Sequence, residues 1–139
     1  MSAAINSGQG LVNYAGHGSV EIWSDLFSSS DAYALTNQTK LPVVLSMTCL
    51  AGYIQDPTME TLAKALMNAA NGGAVAVWAS SSLTEPPPQA QINQAFLRGV
   101  YGTPRKTIGE AAAAAKAATI DPDVRRTWNL LGDPSMYLQ

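Results

Sequence analysis

The stretch Pro42-Val43-Val44-Leu45-Ser46-Met47-Thr48-Cys49-Leu50-Ala51-Gly52 decides the fold. From Val43 to Thr48 it is apolar or β-branched at every position but Ser46, which is the pattern of a strand covered on both faces and so of a central strand. Pro42 suits the first position of such a strand, where a missing N–H is tolerated. The strand delivers the only cysteine of the chain, Cys49, to a loop carrying Gly52. Upstream, the short run Leu11-Val12-Asn13-Tyr14-Ala15 reads as a buried strand and delivers the only histidine, His17, between Gly16 and Gly18. Two reactive side chains, each present once, thus follow the ends of two predicted strands.

A third buried-strand run, Ala74-Val75-Ala76-Val77-Trp78-Ala79, lies downstream of a helical pattern, and this strand–helix–strand order predicts a parallel α/β sheet. That helix reads as opening at Asp56-Pro57, with Met59, Leu62, Ala63, Leu66 and Ala70 on its apolar face and Asn71-Gly72-Gly73 as its stop. Residues 1–9 read as a lead-in loop. Between His17 and Pro42, residues Ile22, Trp23, Leu26 and Phe27 have helix-compatible spacing, and Ser28-Ser29-Ser30-Asp31 can cap a further helical turn. This connection is long enough for a crossover between parallel strands. Beyond the third strand, Ser80 to Pro88 is a hydroxyl-rich and then rigid loop, followed by a predicted helix over about 89–101 with Ile92, Phe96, Leu97 and Val100 aligned. Thr107-Ile108-Gly109-Glu110 matches a capping box before an alanine-rich helix reaching Ala118, and Asp121-Pro122 opens a shorter one. Gly132-Asp133-Pro134-Ser135 reads as a turn, and Met136-Tyr137-Leu138 as a terminal strand.

Composition narrows the function classes. A length of 139 residues suits one domain, large enough to bury about two-thirds of its unfolded surface. Charged residues make up 13% of the chain, about half of the ~25% usual for soluble domains, which suggests surfaces meant for neighbours. A net charge of −2 without a basic cluster argues against nucleic acid and anionic membrane partners. No apolar stretch nears the ~18 residues that would span a bilayer, and no signal peptide is visible, so an export signal would lie upstream. One cysteine leaves the redox compartment open. One histidine and one cysteine do not make a metal site, and no cofactor is expected.

Ligands of open parallel sheets bind beyond the carboxyl ends of the strands. His17, Cys49 and the loop from Ser80 to Glu85 all follow such ends. A thiol beside an imidazole can act as a nucleophile on a carbonyl and form a thioester, with the backbone N–H groups of Gly18 and Cys49 as oxyanion donors. Plainer readings stand beside this one. Lone cysteines are often inert core, and a histidine between glycines can be a simple turn residue. Trp23 reads as packing, and Ser80-Ser81-Ser82-Leu83-Thr84 is either a solvated turn or a pocket wall, with Glu85 a candidate specificity charge.

Taken together, Tyr14-Ala15-Gly16-His17-Gly18-Ser19 with Trp23, Met47-Thr48-Cys49-Leu50-Ala51-Gly52, Leu62-Ala63-Lys64-Ala65-Leu66, Gly73 to Ser81 and Trp128-Asn129-Leu130-Leu131-Gly132-Asp133-Pro134-Ser135 resemble the gingipain-type cysteine peptidases, family C25 of the caspase-like group. The resemblance implies a caspase-like three-layer α/β/α sandwich with a mainly parallel sheet, here a single partial domain over 1–139 lacking its first strands. It implies a secreted or cell-surface endopeptidase with a Cys49–His17 dyad, an oxyanion hole using Gly18 and Cys49, and a pocket shaped by Ser80, Ser81, Ser82, Thr84 and Glu85. Its partners would be peptide or protein substrates and the upstream part of the same domain. Family members of this type carry an aromatic residue near the position of Pro86, so the side-chain preference of this chain need not match theirs. As a fragment, the chain is expected to be inactive or weakly active and to pair through the open edge of strand 11–15. A non-catalytic caspase-like interaction or export module is the alternative, and an acyltransferase with the same dyad is a third reading.

Overall fold

The computed structural model describes residues 1–138. Its centre is a four-stranded sheet of β1 (Leu11–Ala15), β4 (Val43–Met47), β5 (Ala76–Ser80) and β6 (Trp128–Gly132), in the order β1-β4-β5-β6. β1, β4 and β5 run parallel, and β6 is antiparallel to β5. The central position read for the stretch at 43–48 is the observed one, since every residue of β4 is buried.

Side-chain alternation along the strands builds two cores, one on each face. Val43, Leu45, Met47, Ala76 and Trp78 point to a face covered by α4 (Pro86–Tyr101), α5 (Ile108–Ala117) and α6 (Pro122–Thr127). Trp78 stacks on Phe96 of α4 with ring centroids 4.8 Å apart and meets Trp128 edge-on. Val44, Val77 and Ala79 face α1 (Ser2–Ser7), α2 (Ser29–Tyr33) and α3 (Leu62–Asn68). Helices on both faces of a mainly parallel sheet make the three-layer α/β/α sandwich.

Several boundaries differ from the sequence reading, each for a local reason. Residues 22–28 form a small antiparallel hairpin, β2 (Ile22–Trp23) and β3 (Phe27–Ser28), not a helix. Trp23 pairs with Phe27 across it, so a hairpin with a three-residue turn brings i and i+4 together just as a helix would. Asp56 closes a turn rather than opening a helix: its Oδ1 accepts the N–H groups of Thr58 and Met59. α3 starts only after Thr61, whose hydroxyl caps the N–H of Lys64. α4 begins at Pro86, because prolines in a first turn give up no intrahelical bond. Residues 2–7 are helical, with Ile5 buried. Residues 136–138 are irregular, and the last strand is β6 instead. β1 is not a fully buried strand: it is an edge strand, with Leu11, Val12 and Tyr14 half-buried and Asn13 and Ala15 exposed. The caps read at Ser28, Thr107 and Asp121 are all formed.

Candidate active site

The parallel register pairs Ala15, the last residue of β1, with Met47, the last residue of β4. His17 and Cys49 therefore each stand two residues beyond one paired position, on the same edge of the sheet. Both line a cavity of about 650 Å³ that is also lined by Gln89 and Asn93 of α4.

Three contacts hold the segment around His17. Gly16 N–H donates to the carbonyl of Met47 at 3.2 Å, extending the strand pairing by one residue. The His17 carbonyl accepts two hydroxyls, Tyr14 Oη at 2.6 Å and Ser24 Oγ at 2.9 Å. Gly18 is packed so closely that a Cβ there would lie 2.6 Å from Thr48 Oγ1 and 2.9 Å from the Ile22 carbonyl. The imidazole itself is exposed and has no hydrogen-bond partner among the described residues.

The Cys49 loop is tightly wound. Leu50 sits in the left-handed region at φ 60°, a conformation that costs a non-glycine residue about 1–2 kcal/mol. It is held there because Leu50 N–H donates to the Ser82 carbonyl and Gly52 N–H to the Ser80 carbonyl. This turn leaves the Cys49 thiol half-buried, 3.5 Å from the carbonyl of Thr84. The backbone N–H groups of Gly18 and Cys49 donate to no acceptor among the described residues, but Gly18, unlike Cys49, is not among the residues that line the cavity.

The loop after β5 divides into two parts. Ser80 is buried, its hydroxyl donating to the Ser82 carbonyl at 2.9 Å and lying 3.2 Å from Thr127 Oγ1. Ser81 donates through its N–H and its hydroxyl to the carbonyl of Thr127. Neither these two residues nor Ser82 lines the cavity. Thr84 and Glu85 do line it, and Thr84 is fixed by Gln89 Nε2, which donates to its carbonyl and to its hydroxyl at 3.0 Å each. A second cavity of about 440 Å³ opens on the other side of the thiol, between Leu83, Thr84, Glu85, Asp121 and Asp123. A third, about 470 Å³, lies at the opposite end of the sheet near Lys40 and Val43, far from Cys49.

Sequence reading missed Tyr14, Ser24, Gln89 and Asn93. Gln89 and Asn93 carried a signal, being polar residues four apart beside the apolar stripe of α4. Asn93 Oδ1 is buried with no partner. Nothing local marked Ser24.

The family model of peptidase family C25 matches residues 1–139. Gingipain R2 of Porphyromonas gingivalis is 29% identical over 98% of this chain and 20% of its own length. Gingipain R1 of the same species is 29% identical over 98% of this chain and 15% of its own. The crystal structure of the Arg-specific cysteine proteinase gingipain R superposes with a TM-score of 0.87 at 27% identity, covering 99% of this chain and 35% of that one. A complex of the pro- and mature domains of a Porphyromonas gingivalis gingipain gives 0.81 at 26%, covering 99% and 36%. The chain thus spans about a fifth or less of these curated relatives and about a third of the solved chains.

Proposed function

We propose, because this chain belongs to peptidase family C25, that Cys49 and His17 are the catalytic dyad of a cysteine endopeptidase. The observation that carries the reading is the single cavity that both side chains line, with the backbone N–H groups of Gly18 and Cys49 left unengaged. In this reading His17 takes the proton of Cys49 Sγ, and the thiolate attacks the carbonyl carbon of the scissile bond. The negative charge on the tetrahedral oxygen is met by the N–H groups of Gly18 and Cys49. Collapse breaks the C–N bond, and the imidazolium proton leaves with the amine. His17 then removes a proton from water, which attacks the thioester, releases the acid and returns the thiol.

Thr84 and Glu85 would touch the substrate directly, while Ser80, Ser81 and Ser82 would shape the pocket from behind by fixing the loop to the end of α6 and to the Cys49 turn. Substrates would be peptides or proteins, met outside the cell or at its surface. The chain would be one part of a larger peptidase domain, whose upstream part would seat on the open edge of β1. Leaving the imidazole of His17 without a partner favours a second reading, a caspase-like module without catalytic activity used for interaction or export.

Alkylation by iodoacetamide separates the two. The peptidase reading expects Cys49 to react about 10-fold or more faster than a free thiol near neutral pH, with the excess lost in His17→Ala. Equal rates in the wild type and in His17→Ala would leave the non-catalytic module standing.

A further inference from the structure

A line of contacts joins the histidine segment to the cysteine strand without passing through either reactive side chain. The ring of Tyr14 lies parallel to Trp23, with centroids 4.6 Å apart and planes at 8°. Trp23 is fully buried, and its indole N–H donates to Ser46 Oγ on β4 at 2.8 Å. Ser46 stands three residues before Cys49. At the other end of the line, Tyr14 Oη reaches over Gly16, where a Cβ would lie 2.8 Å from it, and donates to the His17 carbonyl at 2.6 Å. Ser24 brings a second hydroxyl to the same oxygen at 2.9 Å from a left-handed backbone at φ 47°. The tip of the β2–β3 hairpin is thus turned so that its hydroxyl meets the histidine backbone.

We propose that Tyr14 and Ser24 are positioning residues, a pair of hydroxyls that clamp the His17 carbonyl and so fix the imidazole relative to Cys49. The inference rests on the dyad reading. A side chain with no partner of its own is aimed only by the backbone that bears it, and two donors on one carbonyl restrain that peptide more tightly than one. The stack on Trp23 ties the clamp to β4, so both reactive groups share one frame. A small loss of orientation at a reacting pair is costly, since a displacement near 1 Å can lower a rate by about 100-fold.

The test measures the rate of Cys49 alkylation by iodoacetamide across pH in the complete peptidase domain that contains this chain, for the wild type, His17→Ala, Tyr14→Phe, Ser24→Gly and the double variant. Tyr14→Phe keeps the ring stacked, and Ser24→Gly suits the left-handed backbone, so the fold survives both; near-ultraviolet circular dichroism checks this. Each single variant is expected to lower the His17-dependent rate about 3- to 10-fold, and the double variant to bring the profile down to that of His17→Ala. Ser24→Asn, which tolerates the same backbone and keeps a donor, is expected to restore part of the loss. A clamp that only stabilises the fold would lower the melting temperature and leave the rate profile of the folded protein unchanged. A double variant that stays folded with the wild-type profile overturns the proposal. Should the wild type already match His17→Ala, the dyad reading itself fails and the clamp falls with it, a result visible before any clamp variant is compared.

Discussion

Thr48 and Gly18 form the tightest junction between the two reactive loops. Thr48 is 1% exposed, and its hydroxyl is buried without a partner. An unpaired buried hydroxyl costs roughly 1–3 kcal/mol. Thr48→Val, nearly the same shape, is therefore expected to leave the melting temperature unchanged or to raise it. Gly18→Ala should do the reverse, because its Cβ would press on the Thr48 side chain and on the Ile22 carbonyl. A loss of about 1–3 kcal/mol is expected from such overpacking. Denaturant titration of the two variants checks both signs, and a Gly18→Ala protein as stable as wild type would contradict the packing described. At this scale the site was half legible. Cys49 and His17 stand out as the one cysteine and the one histidine, His17 between two glycines and Cys49 three residues before Gly52. The roles of Tyr14 and Ser24 depend on a stack and a hairpin that no short window of sequence contains.

Among the helices, the caps carry both stability and pH dependence. Asp31 closes the capping box of α2, accepting the backbone N–H of Ser28 at 2.8 Å and its hydroxyl at 2.7 Å. These bonds hold its carboxyl below the ordinary value of 3.8. With a folded pKa below the unfolded one, the contribution of Asp31 is complete above about pH 4 and is lost as pH falls through the lowered value. Asp31→Asn should therefore be less stable than wild type at neutral pH, with the gap closing in acid. Chemical melts at several pH values measure it, and a gap independent of pH would refute the cap as its source. Caps of this kind were readable because a polar residue and its partner lie three positions apart. By contrast, Asp56 has the same residue type as a cap but serves an isolated turn, and the pairing of Trp23 with Phe27 imitates helical spacing. Residues 128–132 gave no clear strand pattern because β6 is an edge strand whose residues 129–131 are half-buried on both faces alike.

Over the whole molecule, the sheet ends at β1, which hydrogen-bonds to β4 alone. An open edge of this kind offers unpaired backbone groups to another chain. The 139-residue chain is expected to self-associate with rising concentration, and Asn13→Lys, which puts a charge on an exposed edge position, is expected to shift it toward monomer. Sedimentation velocity over a range of concentrations decides, and a wild-type monomer throughout would count against edge pairing. The layered architecture itself was the most legible property, since the run at 43–48, with apolar residues on both of its faces, already required cover on both.

The register that pairs Ala15 with Met47 gives the site a ruler counted in residues. An insertion or deletion of one residue between either strand and its reactive group would put the two groups out of step by one residue, about 3.3 Å along an extended chain. Around this site a change in the number of residues should therefore be tolerated less than an exchange of side chains outside the contacts of Tyr14, Gly16, Gly18 and Ser24.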